Sequence, residues 1–272
     1  MFERTSLFMS LYSQLAETLS YIAPPIYKER FFKRLKHLDA SHRIEGKVEP
    51  ELYWLNKQVH KDDVFLDIGS NVGSYLYTLE KHLKSENLYG FEPNRILYKR
   101  LKRLFPTLPI FPLALADQNK VAEFKVPVIH GHKIKSRGTL QTHLKEEGEE
   151  SGEFQKVKVM RLDDWAPMEH FERLDYIKID VEGSEEKTLK GAQKTIKRFK
   201  PTLLVEIEQR HHESPIWPLI LEVCSWRYKP FYVDPKTLEL TALEKTFFES
   251  QAKLQTNSSS PYINNIIFVP EK

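Results

Sequence analysis

Apolar positions along the chain alternate between the spacing of buried strands and the spacing of amphipathic helices. Apolar runs at residues 64–68 and 88–91 are each followed by a segment with helical spacing, the first through Leu76, Leu79 and Leu83. The later predicted strands are residues 110–115, 174–181, 202–207, 231–233 and 263–269. Strands that alternate with helices predict an open, mostly parallel sheet that is covered on both faces.

One region interrupts this alternation. Residues 121–128 and 157–162 have strand-like patterns without a helix between them, and we interpret them as a hairpin-like insertion. The segment 130–152 between them is rich in Lys, His, Gly and Glu and is predicted to be an exposed loop. Beyond the insertion, Ser184 is expected to cap the helix that carries Leu189 and Ile196.

Residues 1–50 form a separate, helical segment ahead of the first strand. Leu7, Leu11 and Leu15 recur at helical spacing, and Pro24-Pro25 ends that helix. A second, basic helix follows, and it can serve as a cap on the domain or as a membrane-surface or partner-binding helix. The spacing of its aromatic residues favours the cap, or a contact with a second subunit. The predicted division is a helical cap at 1–50 and one domain at 51–272.

Composition excludes several classes of protein. The 272 residues are enough for one α/β domain with additions, and a net charge of +3 gives no support for nucleic-acid binding. A single cysteine, Cys224, excludes an internal disulfide framework and a thiolate metal site. No apolar run approaches the ~18 residues of a membrane span. The N-terminus lacks a continuous apolar signal region, so we expect a cytoplasmic protein.

The turn after the first predicted strand carries the most chemical information. It reads Asp67-Ile68-Gly69-Ser70-Asn71-Val72-Gly73 and leads into a helix. A strand, a glycine turn and a helix N-terminus in this order form a ligand cradle, because glycines permit positive φ and close approach. Asn71 replaces the middle glycine of the dinucleotide fingerprint, and Asp67 adds a carboxylate that suits an ammonium group. The turn therefore favours S-adenosylmethionine (SAM) over NAD.

Acidic residues end most of the predicted strands. They are Asp67, Glu92, Asp117, the pair Asp180 and Glu182, and the pair Glu206 and Glu208. Ligands of open α/β sheets bind outside the carboxyl ends of the strands, and an acid that ends the second strand suits a ribose diol. Each acid could instead pair with a nearby Lys or Arg. Their number on one predicted edge favours a functional site.

Four further motifs lie in the order expected of a known family. They are Gly90-Phe91-Glu92-Pro93-Asn94, Ala114-Leu115-Ala116-Asp117, Lys178-Ile179-Asp180-Val181-Glu182-Gly183 and Asn264-Asn265-Ile266-Ile267. Together with the glycine turn they resemble the motifs of FkbM-type SAM-dependent methyltransferases over residues 60–270. The resemblance implies a Rossmann-like, seven-stranded class I methyltransferase sheet, mostly parallel with an antiparallel last strand. It also implies O-methylation, often of sugar or polyketide hydroxyls.

The expected cofactor contacts follow from this resemblance and from the needs of methyl transfer. The residues expected to hold the methionine part are Asp67, Gly69, Asn71 and Gly73. Glu92 is expected to bind the ribose hydroxyls, with Asn94 close to the ribose or the adenine. Asp117 is expected to meet the adenine amino group, and Ala116 offers its backbone. These residues would hold the reactive methyl in line with an acceptor oxygen.

A sugar hydroxyl is a poor nucleophile at neutral pH, so a general base is expected. Asp180 is the first candidate, Glu206, Glu208 and His211 are alternatives, and Glu182 stands beside the acceptor. The pairs Asp180/Glu182 and Glu206/Glu208 could also hold a divalent cation. Lys178 and Arg210 can neutralise the same acids, so the sequence predicts no metal site. His211 and His212 can equally be a surface pair.

Two other functions stay open. The chain could be a non-catalytic module that binds SAM within glycan assembly. An NAD-linked enzyme is the third option, but the expected glycine triplet is lacking. The stretch Gly138-Thr139-Leu140 departs from the serine-rich stretch common in the family, which leaves the acceptor open.

Overall fold

The structure is a computed structural model that describes residues 18–36, 38, 48–212, 215–252 and 263–271. The helices of eight or more residues are α1 (Pro24–Phe31), α2 (Pro50–Gln58), α4 (Arg95–Leu104), α7 (Trp217–Ser225) and α8 (Lys245–Ala252). Shorter helices are α3 (Ser74–Leu79), α5 (Glu185–Gly191) and α6 (Gln193–Phe199). The strands are β1 (Phe65–Ile68), β2 (Leu88–Phe91), β3 (Ile110–Phe111), β4 (Leu113–Leu115), β5 (Lys120–Ile129), β6 (His132–Lys133), β7 (Glu149–Met160), β8 (Tyr176–Ile179), β9 (Thr202–Glu206), β10 (Tyr228–Val233), β11 (Leu240–Ala242) and β12 (Asn265–Pro270).

The central sheet has the order β11-β10-β12-β9-β8-β1-β2-β3. Strand β1 pairs in parallel with β2 and β8, and β8 pairs in parallel with β9. The last strand, β12, is antiparallel to both of its neighbours. The predicted α/β class, with a mostly parallel sheet and an antiparallel last strand, is confirmed. The strand count is corrected from seven to eight, because β11 returns antiparallel along the edge strand β10.

Apolar side chains cover both faces of this sheet. All four residues of β1 are buried, and successive side chains point to opposite faces. Leu66 and Ile68 belong to one core with helices α5 to α7, whereas Phe65 belongs to a second core with α2 to α4. Burial on both faces explains why the strand has a continuous apolar run broken only by Asp67.

The predicted third strand is two strands that belong to different sheets. Pro112 separates β3, which pairs with β2, from β4, which pairs with β7. Proline has no backbone N–H to donate to a ladder, so a break at this position is expected once the proline is taken into account. The single strand predicted at 110–115 is therefore wrong.

The insertion forms a second sheet in the order β4-β7-β5-β6. Strands β5 and β7 are antiparallel over their whole length, as the hairpin-like pattern indicates. The prediction of a simple exposed loop at 130–152 is wrong, because this segment contains β6 and pairs again with β5 further along the chain. Lys125 and Thr139 exchange backbone hydrogen bonds of 2.9 Å there.

Ser184 directly precedes α5, but its hydroxyl makes no capping hydrogen bond, so the predicted cap is wrong. Glu185 Oε1 instead accepts a hydrogen bond of 2.9 Å from the N–H of Gly183. The predicted helix is also divided at Ala192 into α5 and α6. The Glu185 carboxylate thus holds the turn ahead of the helix and does not cap the free N–H groups of its first turn.

Helix α1 begins at Pro24 and packs on the second core. Phe32 is buried and stacks on Tyr77 with ring centroids 4.6 Å apart, whereas Ile22 and Ile26 are 78% and 64% exposed. The predicted helix through Leu7, Leu11 and Leu15 lies outside the described residues. Among the described residues, none of the helices has the length and apolar character needed to span a membrane.

Candidate functional site

A cavity of about 530 Å³, including its open mouth, lies at the carboxyl ends of β1, β2 and β8. Residues from the central sheet line one wall: Ile68, Gly69, Asn71, Glu92, Pro93, Leu97, Asp180, Val181 and Glu182. Strand β4 and the insertion line the other: Leu113, Ala114, Leu115, Phe124, Lys135, Ser136, Gly138 and Leu140. The site has the position that the sheet topology predicts.

The glycine turn wraps around the end of β2. The N–H groups of Gly69 and Ser70 donate to the carbonyl oxygen of Phe91 at 2.9 and 3.0 Å. Gly69 has φ +85°, and a Cβ built on it would lie 1.8 Å from the carbonyl oxygen of Asp180. Asn71 also has positive φ, and its side-chain N–H donates to the backbone of Ser136 in the insertion. Only glycine allows the turn to approach β8 this closely.

Glu92 is a buried acid whose position is fixed by backbone donors. Its two carboxylate oxygens accept hydrogen bonds of 2.8 Å from the N–H groups of Asn71 and Asn94. Burial raises the pKa of Glu92 to about 7, and the two backbone donors partly offset that rise. Carboxylate lone pairs that these donors leave available can accept further bonds from a ligand in the cavity.

Asp67 lies below the turn and is 1% exposed. Among the described residues, none donates a hydrogen bond to its carboxylate oxygens. Burial raises its pKa to about 6, although Lys178, its cross-strand neighbour, favours the charged form. Asp67 is not part of the cavity wall.

Asp180 follows β8 and faces the cavity. Its carboxylate pairs with Lys178 Nζ at 2.8 Å and is 22% exposed, while the lysine is almost fully buried. Burial disfavours the charge of Lys178, but the Asp180 and Asp67 carboxylates more than offset this and raise its pKa. Asp180 therefore borders the cavity and is paired with the buried ammonium group of Lys178.

The other predicted catalytic residues separate into two groups. Glu182 lines the cavity and approaches His211 Nε2 to 3.6 Å. Glu206 lies outside the cavity wall, where its Oε1 accepts a hydrogen bond of 2.6 Å from Asn264. Burial raises the pKa of Glu206 well above its ordinary value, and the charge of Asp180 adds to that rise. The structure thus brings Asp180 and Glu182 together and leaves Glu206 behind them.

Besides Asp67, four predicted cofactor residues lie outside the cavity wall. A Cβ on Gly73 would meet Leu101 and Phe105, so this glycine allows α3 to pack against α4. Asn94 caps α4, and its side chain also donates to the carbonyl oxygen of Lys135. Ala116 pairs with Met160 through its N–H, and Asp117 lies beside Gly191. They support the walls in this structure, and their predicted ligand contacts stay predictions.

Sequence reasoning missed the wall that the insertion provides. Its cavity-lining residues are Phe124, Lys135, Ser136, Gly138 and Leu140. Thr139 Oγ1 donates to the carbonyl oxygen of Glu182 at 2.6 Å, and Gln141 Nε2 donates to that of Gly183 at 3.1 Å. The departure at Gly138-Thr139-Leu140 was the one local signal that this segment meets the site.

Comparison with known proteins shows the family of this chain. Residues 67–229 match the family model described as the methyltransferase FkbM domain. This stretch covers more than half of the chain and contains the glycine turn, Glu92 and Asp180. The chain belongs to the FkbM methyltransferase family.

Two curated relatives are similar over part of their length. The chain is 30% identical to the hexuronic acid methyltransferase AglP of Haloferax volcanii over 146 residues, which cover 50% of this chain and 53% of that protein. It is 22% identical to the AMB antimetabolite synthetase AmbE of Pseudomonas aeruginosa over 198 residues, 57% of this chain and 9% of that protein. The chain thus spans about half of the first relative and a small part of the second.

Two solved structures are also similar at low identity. One is the methyltransferase FkbM from Methylobacillus flagellatus KT, 15% identical with a TM-score of 0.47, covering 89% of this chain and 59% of that chain. The other is a TehB-like SAM-dependent methyltransferase from Corynebacterium glutamicum, 12% identical with a TM-score of 0.42, covering 91% and 100%.

Proposed function

We propose that this chain is a SAM-dependent O-methyltransferase that acts on a hydroxyl of a sugar, glycan or related small molecule. The observation that carries the proposal is the cavity at the ends of β1, β2 and β8, where the buried acid Glu92 and the acid Asp180 face one space. Membership of the FkbM methyltransferase family supports the reaction class.

Residues that line the cavity, together with Asp67 outside its wall, fit SAM in three respects. Glu92 is a buried acceptor at the end of the second strand, as a ribose diol requires. Asp67 is a buried carboxylate without a hydrogen-bond donor among the described residues, which suits the cationic amino-acid end. Leu97, Leu113 and Phe124 give an apolar lining for a flat base.

SAM would supply an electrophilic methyl group, and the protein supplies position and charge. We assign binding of the ribose to Glu92, and binding of the methionine end to the turn at Gly69 and Asn71. Asp67 would supply a negative charge beneath that turn. The finer assignments of Gly73, Asn94, Ala116 and Asp117 stay part of the proposal.

Asp180 is the proposed general base for the acceptor hydroxyl. Its carboxylate faces the cavity, and the ion pair with Lys178 holds it in one orientation. Glu182 and His211 stand next to it and remain the alternatives, whereas Glu206 is further from the cavity.

The acceptor is proposed to enter from a second cavity. This cavity has an empty volume of about 1170 Å³, including open solvent. Gly183 and His211 line it, and both are neighbours of Glu182, which lines the first cavity. Lys187, His143 and Gln141 supply polar groups along its wall, and such groups suit a hydroxylated ligand. The curated relative named a hexuronic acid methyltransferase supports a sugar acceptor for this chain.

The first experiment is calorimetry of the whole chain with S-adenosylhomocysteine (SAH) and, separately, with NAD. We expect SAH to bind and NAD not to bind; tight NAD binding without SAH binding would end the proposal. A panel of sugar and glycolipid acceptors with methyl-labelled SAM then tests transfer. SAH binding without transfer to any acceptor would favour the non-catalytic module.

We retain the division into a cap at 1–50 and a domain at 51–272 as a proposal. The burial of Tyr27 and Phe32 supports a packed cap, so deleting residues 1–45 should lower the melting temperature. If the truncated chain is equally stable but no longer sediments with anionic liposomes, the membrane-surface interpretation is correct instead. Contact with a second subunit and a cytoplasmic location stay predictions.

A further inference from the structure

Three side chains from separate segments meet beside the cavity. Glu146 comes from the insertion ahead of β7, Glu182 from the turn after β8, and His211 from the segment after β9. His211 Nε2 lies 3.6 Å from Glu146 Oε1 and 3.6 Å from Glu182 Oε2. One ligand atom from each residue lies within 4.8 Å of the other two. The cluster is therefore a three-membered set of one nitrogen and two oxygen donors.

The spacing of these atoms fits a shared ion. A separation of 3.6 Å is longer than the usual range for a nitrogen–oxygen hydrogen bond, about 2.7–3.2 Å. Ligand atoms that lie ~2.0–2.2 Å from one cation in tetrahedral geometry are ~3.3–3.6 Å apart. The two distances to His211 therefore correspond to edges of a coordination sphere, and a cation would need only small side-chain movements to bind all three.

The charges and the location agree with this interpretation. The two carboxylates together with the guanidinium of Arg137, which pairs with Glu146 at 3.2 Å, leave an excess of negative charge that a divalent cation would offset. The second oxygen of Glu146 accepts a hydrogen bond from Arg137 Nη1 at 3.2 Å, which orients that carboxylate. Glu182 lines the first cavity and His211 lines the second, so the cluster stands between them.

We propose that Glu146, Glu182 and His211 form a binding site for a divalent transition-metal cation such as Mn²⁺ or Zn²⁺. The mixed donors suit these ions better than Ca²⁺, which takes six to eight oxygen ligands. This set differs from the carboxylate pairs that the sequence offered, and it includes a residue of the insertion. The ion would join the insertion to the ends of β8 and β9.

A second role follows if the proposed methyl transfer is also correct. An ion at the junction of the two cavities could bind an acceptor hydroxyl and lower its pKa, as Lewis acids do. Metal binding itself does not rest on that function. It is measured without SAM, so its failure can be distinguished from failure of the methyltransferase proposal.

The test is calorimetry and Mn²⁺ electron paramagnetic resonance on the untagged full-length chain after dialysis against EDTA. We expect one Mn²⁺ or Zn²⁺ per chain and a rise in melting temperature on metal addition. Glu146→Gln and His211→Gln should each weaken binding at least tenfold, because each removes one of three protein ligands. Glu182→Gln provides a further variant if either of these fails to fold.

Two matched controls keep the test specific. Glu147→Gln removes the same charge from an exposed neighbour, and His132→Gln removes an exposed imidazole from the same insertion. Both should bind metal as the wild type does. The proposal is overturned if the wild type binds neither ion at millimolar concentration, or if Glu147→Gln weakens binding as much as Glu146→Gln. In that case the three side chains form a polar cluster that holds no metal ion.

Discussion

The two walls of the cavity are built in different ways. The sheet wall is made of strand ends, and backbone hydrogen bonds hold its key groups. The N–H of Gly69 donates to the carbonyl oxygen of Phe91, and the N–H of Asp180 donates to that of Ile68. The carboxylate of Glu92 accepts from two backbone N–H groups. The insertion wall stands on a separate sheet. Near the cavity mouth, Thr139 and Gln141 tie it to the turn after β8 by side-chain hydrogen bonds.

This difference assigns different roles to the two walls. The sheet wall carries acids whose pKa values burial has raised, Glu92 to about 7 and Asp67 to about 6. Such groups are expected where a ligand is bound in a fixed geometry. The insertion wall carries Lys135, Ser136 and Leu140, and side-chain hydrogen bonds link this segment to the sheet wall. We expect the sheet wall to control cofactor binding and chemistry, and the insertion wall to control access and acceptor choice.

The largest effect is expected at Asp180. Asp180→Asn keeps the size of the side chain and removes the proposed base, so kcat should fall by ~10²–10⁴-fold while SAH affinity stays near wild type. Steady-state kinetics with the acceptor found in the panel measures this. Asp62→Asn, which breaks an exposed ion pair with Lys84, is the matched control. Unchanged turnover with a lower melting temperature would make Asp180 only a partner of Lys178 and move the base to His211.

The next effect tests how closely the sheet wall is packed. Gly69→Ala places a Cβ against the Asp180 carbonyl at positive φ, so it should lower the free energy of unfolding by about 3 kcal/mol. Gly131→Ala also has positive φ but has no atom within 4 Å of the added Cβ, and it should cost about 1 kcal/mol. Urea unfolding compares the two. Equal losses would mean that β1 and β8 can separate without penalty.

A smaller effect is expected at Glu92. Glu92→Ala should weaken SAH binding by about 1–3 kcal/mol, because ribose hydrogen bonds to a buried acid are lost. Burial raises the pKa of Glu92 from 4.5 to about 7, so wild-type SAH affinity should fall as the pH drops below 7. Glu92→Gln should reduce this pH dependence, whereas Glu123→Gln, on an exposed position of β5, should leave it intact. An unaltered pH profile in Glu92→Gln would assign the effect to Asp67 or another group.

The same pKa shift has a consequence for stability. Between pH 4.5 and 7 the unfolded chain has already released the Glu92 proton, while the folded chain still holds it. Folding is therefore favoured at the acidic end of this window, and the Glu92 contribution is lost as the pH rises toward 7. Urea unfolding without ligand should show a smaller decrease with pH in Glu92→Gln than in the wild type.

The smallest effect is expected at Thr139, whose side chain links the insertion to the turn after β8. Thr139→Val removes the hydroxyl that donates to Glu182 at 2.6 Å and accepts from the N–H of Gln141. A loss of about 1 kcal/mol corresponds to a few-fold rise in the acceptor KM, with SAH affinity nearly unchanged. Thr142→Val, in the same segment, is the control. A larger loss in SAH affinity than in acceptor KM would show that the insertion wall also serves the cofactor.

Local patterns were enough to predict the part of the fold that surrounds the first turn. The apolar run before Asp67, the glycines and the acid at Glu92 are close in sequence, and each reports the conformation of its own segment. The mostly parallel sheet followed from the same alternation. The break at Pro112 was readable in principle, since proline cannot donate within a strand.

By itself, the sequence determined the sheet class, the glycine turn and the set of acids at the strand ends, because backbone periodicity and turn chemistry are local. Only the tertiary structure decided which acids face the cavity. Glu92, Asp180 and Glu182 do, while Glu206 is held by Asn264 outside the cavity wall and Asp117 lies beside Gly191. It also brought Glu146, Glu182 and His211 together from three segments. Such a meeting depends on how separate strands and the insertion pack against one another, and no local pattern records that packing.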